Sequence, residues 1–426
     1  MITIIIYSLV VLFFSAGIFK YPSISLAAIF LMFGFEQWAQ SSNAFFVLHN
    51  TLTNYIVGAL VVVSILVKIV KQESVFKNYP AVGWLVILLF VYAFLSIAWV
   101  STPDISYGLW RLNFPYLVII LFLSPFLFSE VEDISKALNA MVVVGTLLIL
   151  LLLFNSNWTY RGVELIGAGG RKLMGNPLAV AEMGGYVMLA AAFKGGRGPL
   201  GLWRWLKWCI MAVGMALAVK SGSRGQFLGM VIAFFAFYPF AGYKQSFGSY
   251  LMLVTGFFVF GGLGFWVFEM FAATGGARWE ATLVEHDVVG RWSGAIKLLQ
   301  EWYASPGTML FGLGNSASYD PKILGIYPHI VPLEILGEEG LIGFALFCLI
   351  IVLTLRNIID TVFRLNIDQQ QKCVVMAISA ISFFLFILCF KQGNMLGSLP
   401  FFATTIYLGK LRNILKEGNA PVGGGA

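Results

Sequence analysis

The sequence predicts an all-α polytopic membrane protein with twelve or thirteen transmembrane helices. Three observations lead there. Of its 426 residues 59% are hydrophobic and only 11% charged, where a soluble domain is nearer half apolar and a quarter charged. Stretches of roughly 20 mostly apolar residues, the length that crosses a bilayer, recur from one end to the other. These stretches are continuous, as in Leu147-Leu148-Ile149-Leu150-Leu151-Leu152-Leu153, and do not alternate every second residue. Continuity decides for helices over a closed barrel.

In chain order the apolar runs are 2–19, 22–40, 52–70, 81–100, 113–128, 137–154, 177–193, 204–219, 226–242, 248–272, 330–355, 373–390 and 397–410. The first lacks a basic lead and a small-residue cleavage site, so it reads as a span and not as a signal peptide. The second contains Glu36 and Gln37, and the last is short. Together they predict one polytopic domain over 1–410. Within it lies a long loop over 273–329, and after it a disordered tail over 411–426 that ends GNAPVGGGA. Cys209, Cys348, Cys373 and Cys389 fall inside apolar runs with no metal or disulfide spacing, and read as packing residues. No internal repeat is visible, which weighs against a transporter built from inverted halves.

The excess of basic residues in cytoplasmic loops orients the spans. With the N-terminus outside, 16 of the 27 Lys and Arg fall in one set of short loops, and the tail is cytoplasmic. The opposite loops are longer and richer in Gly, His and acids. The net charge of +7 therefore fits an anionic lipid surface and does not call for a nucleic-acid partner.

Three segments on the predicted outer face carry residues capable of chemistry. The first is Trp158–Pro177, with Arg161, Arg171 and Lys172 among several glycines. The second is the turn Lys220–Gly225, KSGSRG, around Arg224. The third is 273–329, with Arg278, His286, Asp287, Arg291, the stretch Phe311-Gly312-Leu313-Gly314-Asn315 and Tyr327-Pro328-His329. Glycines let backbone N–H groups approach an anion, and guanidinium forks match phosphate oxygens. The plain alternative is that these cations anchor lipid headgroups. Of the three histidines, His49, His286 and His329, the last precedes a span, where it could act as a general base on a hydroxyl.

Glu334, Glu338 and Glu339 open the next span, where acids suit the helix dipole; Glu182 and Glu36 lie deeper, where an ionisable group is costly. Glu182 could pair with Arg171 or orient another arginine. No HExxH or paired-Cys ligand set exists, and Gly312-Leu313-Gly314 has neither the P-loop nor the Rossmann context. No metal or other cofactor is expected, and any donor substrate is expected to be lipid-borne.

Taken together, three motifs resemble those of the O-antigen ligase and O-antigen polymerase superfamily of bacterial inner-membrane glycosyltransferases. Ser221-Gly222-Ser223-Arg224-Gly225 looks like the family's S-x-S-R-G turn. Gly290-Arg291-Trp292, Pro306 and the G-x-G of Phe311–Asn315 look like its Arg–Trp helix and following loop. His329–Gly343, HIVPLEILGEEGLIG, resembles its H-N-x9-G-x-x-G pattern, with Ile330 where the family has Asn, Ser or Gln.

The resemblance implies a GT-C-like membrane glycosyltransferase with a long extracytoplasmic loop and its active face periplasmic. It would transfer a glycan from an undecaprenyl-diphosphate carrier to a sugar hydroxyl, as in lipopolysaccharide biosynthesis. Arg224 and Arg291 would hold the diphosphate and His329 would activate or orient the acceptor hydroxyl. Arg161, Arg171, Lys172, Arg278 and Glu338 would contact phosphate or glycan. The reaction is expected to be metal-independent and inverting.

A ligase would use lipid A-core or another terminal acceptor, and the long loop before His329 resembles the ligase arrangement. A polymerase would use a second lipid-linked glycan. A non-catalytic glycan transporter would instead place charges mid-span along a path, and a purely structural role leaves the arginine set without a purpose.

Overall fold

The computed structural model describes residues 2–159, 162–167, 170–194, 202–242, 251, 255 and 281–419, with the backbone alone for 202–204 and 281–288. In chain order the helices are α1 (Ile2–Lys20), α2 (Ser25–Ser42), α3 (Ala44–Leu48), α4 (Leu52–Val70), α5 (Ala81–Leu95), α6 (Pro103–Tyr116), α7 (Val131–Asn155), α8 (Pro177–Phe193), α9 (Leu202–Lys220) and α10 (Arg224–Phe237). They continue with α11 (Ala281–Trp302), α12 (Pro306–Phe311), α13 (Val331–Ile359), α14 (Gln369–Cys389) and α15 (Leu399–Gly418).

Among the described residues, eight helical stretches are long and apolar enough to cross a membrane: Ile2–Lys20, Leu52–Val70, Ala81–Ala98, Pro103–Leu127, Val131–Asn155, Arg224–Ala241, Val331–Arg364 and Gln369–Cys389. The chain is a helical, multi-pass membrane protein. The other predicted runs at 22–40, 177–193, 204–219 and 397–410 are also helices, but shorter or less apolar. Of the run 248–272, Leu251 and Thr255 alone are among the described residues.

Local chemistry accounts for three departures from expectation. The stretch predicted as 113–128 begins at Pro103 and runs through Pro115. A proline inside a helix lacks the N–H its turn needs, and the wide π turns of Leu117–Leu123 follow at once. The segment 158–177 forms a small antiparallel sheet of β1 (Trp158–Thr159), β2 (Gly162–Ile166) and β3 (Lys172–Met174), with Glu164 opposite Met174. The tail is helical to Gly418 and so is ordered over 411–418. Leu411 and Leu415, four residues apart, are buried there on one face.

The chain divides into two compact units, each built from discontinuous segments. The first comprises Met1–Val75, Phe126–Leu283 and Ile367–Phe384. Its α8 is buried from Met183 to Phe193. A Cβ on Gly184 would lie 2.7 Å from the Gly214 carbonyl oxygen, and one on Gly214 2.8 Å from that of Gly184. Small residues of this kind let two membrane helices meet backbone to backbone, where van der Waals contact supplies the attraction that lipid denies to apolar burial. Lys68 is buried but paired, with Nζ 2.9 Å from Glu73 and 3.6 Å from Asp133. An unpaired cation there would be costly.

The second unit comprises Phe76–Pro125, Val284–Asn366 and Leu385–Ala426. Phe90 of α5 stands edge-on to Phe402 of α15, with 5.2 Å between centroids. The buried Lys410 donates to the Pro125 carbonyl at 2.8 Å. The buried Asp360 takes Arg364 at 2.8 Å and Arg412 at 3.0 Å. The segment predicted as the loop 273–329 is largely helical where it is described, through α11 and α12.

Candidate functional site

In the second unit the site grows from a break in α13. Gly340 takes φ 65° and ψ −166°, so the helix is interrupted there. The carbonyls of Gly337 and Glu338 thereby lose the N–H partners four residues on. The G-x-G loop supplies replacements: Leu313 N–H donates to the Gly337 carbonyl at 3.0 Å and Gly314 N–H to that of Glu338 at 2.8 Å. The approach admits no side chain. A Cβ on Gly312 would lie 2.1 Å from the Glu338 carbonyl oxygen, and one on Gly340 2.4 Å from the Gly312 nitrogen.

The carboxylates of the same helix complete the junction. Glu338, buried, accepts from the Ser316 N–H at 2.6 Å and the Ser318 N–H at 3.0 Å. Glu339 accepts from the Asn315 amide at 2.8 Å. Asn315 in turn donates its backbone N–H to Ser96 and accepts at its side chain from the Trp110 indole, at 2.7 and 2.8 Å. Glu338 therefore acts on loop backbone, a positioning task and not an exposed contact. The loop closes at Asp320, which accepts from the Ser101 hydroxyl at 2.7 Å and the Lys322 N–H at 2.9 Å. These two donors hold its carboxyl below the ordinary carboxylate range.

The polar end of this junction gathers Tyr319, Tyr327, His329 and Glu334. The Tyr327 ring lies 4.2 Å from the His329 ring and 6.1 Å from that of Tyr319. Tyr319 accepts from the Asn394 amide at 3.1 Å, and the buried Glu334 accepts from the Met395 N–H at 3.2 Å. Burial pushes the Tyr327 phenol up, the Arg291 charge pulls it back and Glu334 pushes it up again. Arg291 therefore lies within electrostatic reach of Tyr327. It is placed by α11, whose Leu298 is fully buried with Val100, Ala317 and Ile323; Leu298 also lies where a Cβ on Gly337 would be, 2.7 Å away. Two turns separate Arg291 from Leu298, on one helix face. So His329 packs against Tyr327, and Arg291, far away in sequence, acts electrostatically on the same phenol.

In the first unit, Ser221-Gly222-Ser223-Arg224-Gly225 is a tight turn. The Ser221 hydroxyl donates to the Ala218 carbonyl at 2.8 Å, and the Ser223 hydroxyl to the Pro177 carbonyl at 3.1 Å. The second bond joins two segments that sequence analysis singled out separately. Arg224 is the first residue of α10. A cation there opposes the helix dipole, whose N–H groups favour an anion. Arg171 is exposed, and Lys172 pairs with Glu164 across the sheet at 2.9 Å while staying 76% exposed. Glu182 accepts from the Tyr186 hydroxyl at 3.3 Å.

Arg161, Arg278 and the His286 side chain lie outside the described residues. His49 packs its ring against Phe45, 4.5 Å away. Among the described residues no group of three or more His, Cys, Asp and Glu is placed to hold a metal ion. Sequence reasoning missed Ser96, Ser101, Trp110 and Asn394. Each is an ordinary residue on its own, and only the folded chain brings it to the loop. The chain matches no protein-family model and no curated protein sequence.

Proposed function

We propose that this protein is an O-antigen ligase-type membrane glycosyltransferase. It moves a glycan from an undecaprenyl-diphosphate donor to a sugar hydroxyl, at the periplasmic face of a bacterial inner membrane. The observation that carries the reading is the His329 ring packed 4.2 Å from Tyr327 at the start of a membrane helix, with the Arg291 charge acting on the same phenol. A base beside a cation is the pairing that displacement of a diphosphate needs. The acceptor oxygen attacks the anomeric carbon, and its proton passes to the His329 imidazole. The bond to the diphosphate oxygen breaks and the leaving group keeps the electron pair. Arginine positioned for that developing charge lowers the barrier most when it is held in place beforehand. Arg224, at the head of its own helix, is the second candidate cation for phosphate. The helical, multi-pass architecture and the order of the three motifs support the same reading.

The test is glycan transfer by the purified full-length protein from a lipid-diphosphate-linked glycan, with a chelator present. Arg224→Ala and Arg291→Ala combined should abolish transfer. Unchanged transfer would overturn the phosphate assignment, and dependence on added metal would overturn the arginine-only chemistry. The glycan of a deletion strain identifies the acceptor: polymer stranded on its carrier marks a ligase, single repeats mark a polymerase.

A further inference from the structure

His329 has an unusual backbone. Its φ is 64°, in the left-handed region that residues with a side chain seldom occupy. Such conformations persist where the surroundings over-determine them. Here Pro328 before it and Ile330 after it are both buried, and Ile330 caps α13.

The Tyr327 ring lies against that imidazole, 4.2 Å away and inclined by 60°. Tyr327 is itself backed by Tyr319 at 6.1 Å, and Tyr319 is fixed by the Asn394 amide at 3.1 Å. The Arg291 charge acts electrostatically on the Tyr327 phenol. One side chain thus touches the candidate base and stands within reach of the candidate cation. A tilted aromatic pair at this spacing is a directional contact that an aliphatic side chain does not reproduce.

We propose that Tyr327 is a positioning residue whose ring fixes the orientation of the His329 imidazole, the candidate base. The proposal rests on the glycosyl-transfer reading above. The contact is made by the ring, so phenylalanine serves in its place and leucine does not.

The experiment uses the full-length protein in nanodiscs with ring-labelled histidine. The chain has three histidines, so the His329 resonance is the one absent from H329N. In the unmutated protein a nuclear Overhauser contact between the Tyr327 and His329 rings is expected. Its absence overturns the proposal even if every variant misfolds. Y327L should shift the His329 resonance and Y327F should leave it in place. In the transfer assay Y327L should lower kcat by about 100-fold, the scale of a misplaced reacting group, with little change in KM for the lipid donor. Y327F should restore kcat. An unshifted His329 resonance in Y327L, or Y327F as slow as Y327L, overturns the positioning role alone. Full transfer by H329A instead overturns the function reading on which it rests, even where the unmutated protein shows the ring contact.

Discussion

Two polar clusters, one in each unit, are held in opposite ways. In the second, Glu338, Glu339, Asn315 and Ser316 are buried and bonded to one another's backbone and side chains around the break at Gly340. In the first, Arg171 and Lys172 project from a small sheet, and the Arg224 turn is tied to Pro177 by one serine hydroxyl. Buried polar networks are rigid when every member is satisfied and costly when one is lost. Exposed cations are replaceable and mobile. Losing one bond of the buried network therefore costs more than losing a contact of the exposed Arg171 or Lys172.

The comparison is broken most severely at Gly340. Gly340→Ala meets Gly312 backbone at 2.4 Å and must keep φ 65°, so it should cost about 3–5 kcal/mol by thermal unfolding in detergent. A loss below about 1 kcal/mol would mean that the junction is pliable. Glu338→Ala comes next. It leaves the Ser316 and Ser318 N–H groups buried without an acceptor, at about 2–5 kcal/mol for the two. Glu338→Gln keeps one acceptor oxygen and should lose less.

Acid provides a milder probe of the same loop. The Asp320 carboxyl is held below its ordinary range, so its contribution is complete above about pH 4 and is lost as pH falls through the lowered value. Hydrogen exchange of the Ile323, Leu324 and Gly325 amides, which bond to the Asp320 carbonyl, should rise beyond its intrinsic pH dependence below that pH. Ser101→Ala, which removes the donor to Asp320, should move the onset to higher pH. The smallest effect belongs to the first unit. Lys172→Ala removes an ion pair whose lysine is 76% exposed, and should change stability by less than about 1 kcal/mol. A large loss there would erase the contrast.

How much of this was legible in the sequence follows from range. Hydropathy is local, so the spans and the helical class were readable from windows of roughly 20 residues. Gly312, Gly314, Asn315, Glu338 and Gly340 could be picked out as motif residues. Their mutual contacts could not, because each glycine's reason lies in the backbone of the other segment. Ser96, Ser101 and Trp110 carry no motif and sit some 200 positions from the atoms they bond. The segment 158–177 looked like a glycine-rich loop because its strands are two, five and three residues long, too short for an alternating pattern to register. The helix through Pro115 was begun late, at 113, because its first turns carry Asp104, Ser106 and Arg111 and do not read as an apolar run.

The account's central claim is that His329 and Arg291 form one reacting centre. The most direct test is the rate of glycan transfer by His329→Ala, measured on purified full-length protein with a lipid-diphosphate-linked donor and saturating acceptor. Loss of general-base help predicts a fall in kcat of about 100- to 10,000-fold, with Arg291→Ala falling in parallel. Transfer by His329→Ala at the wild-type rate would contradict it.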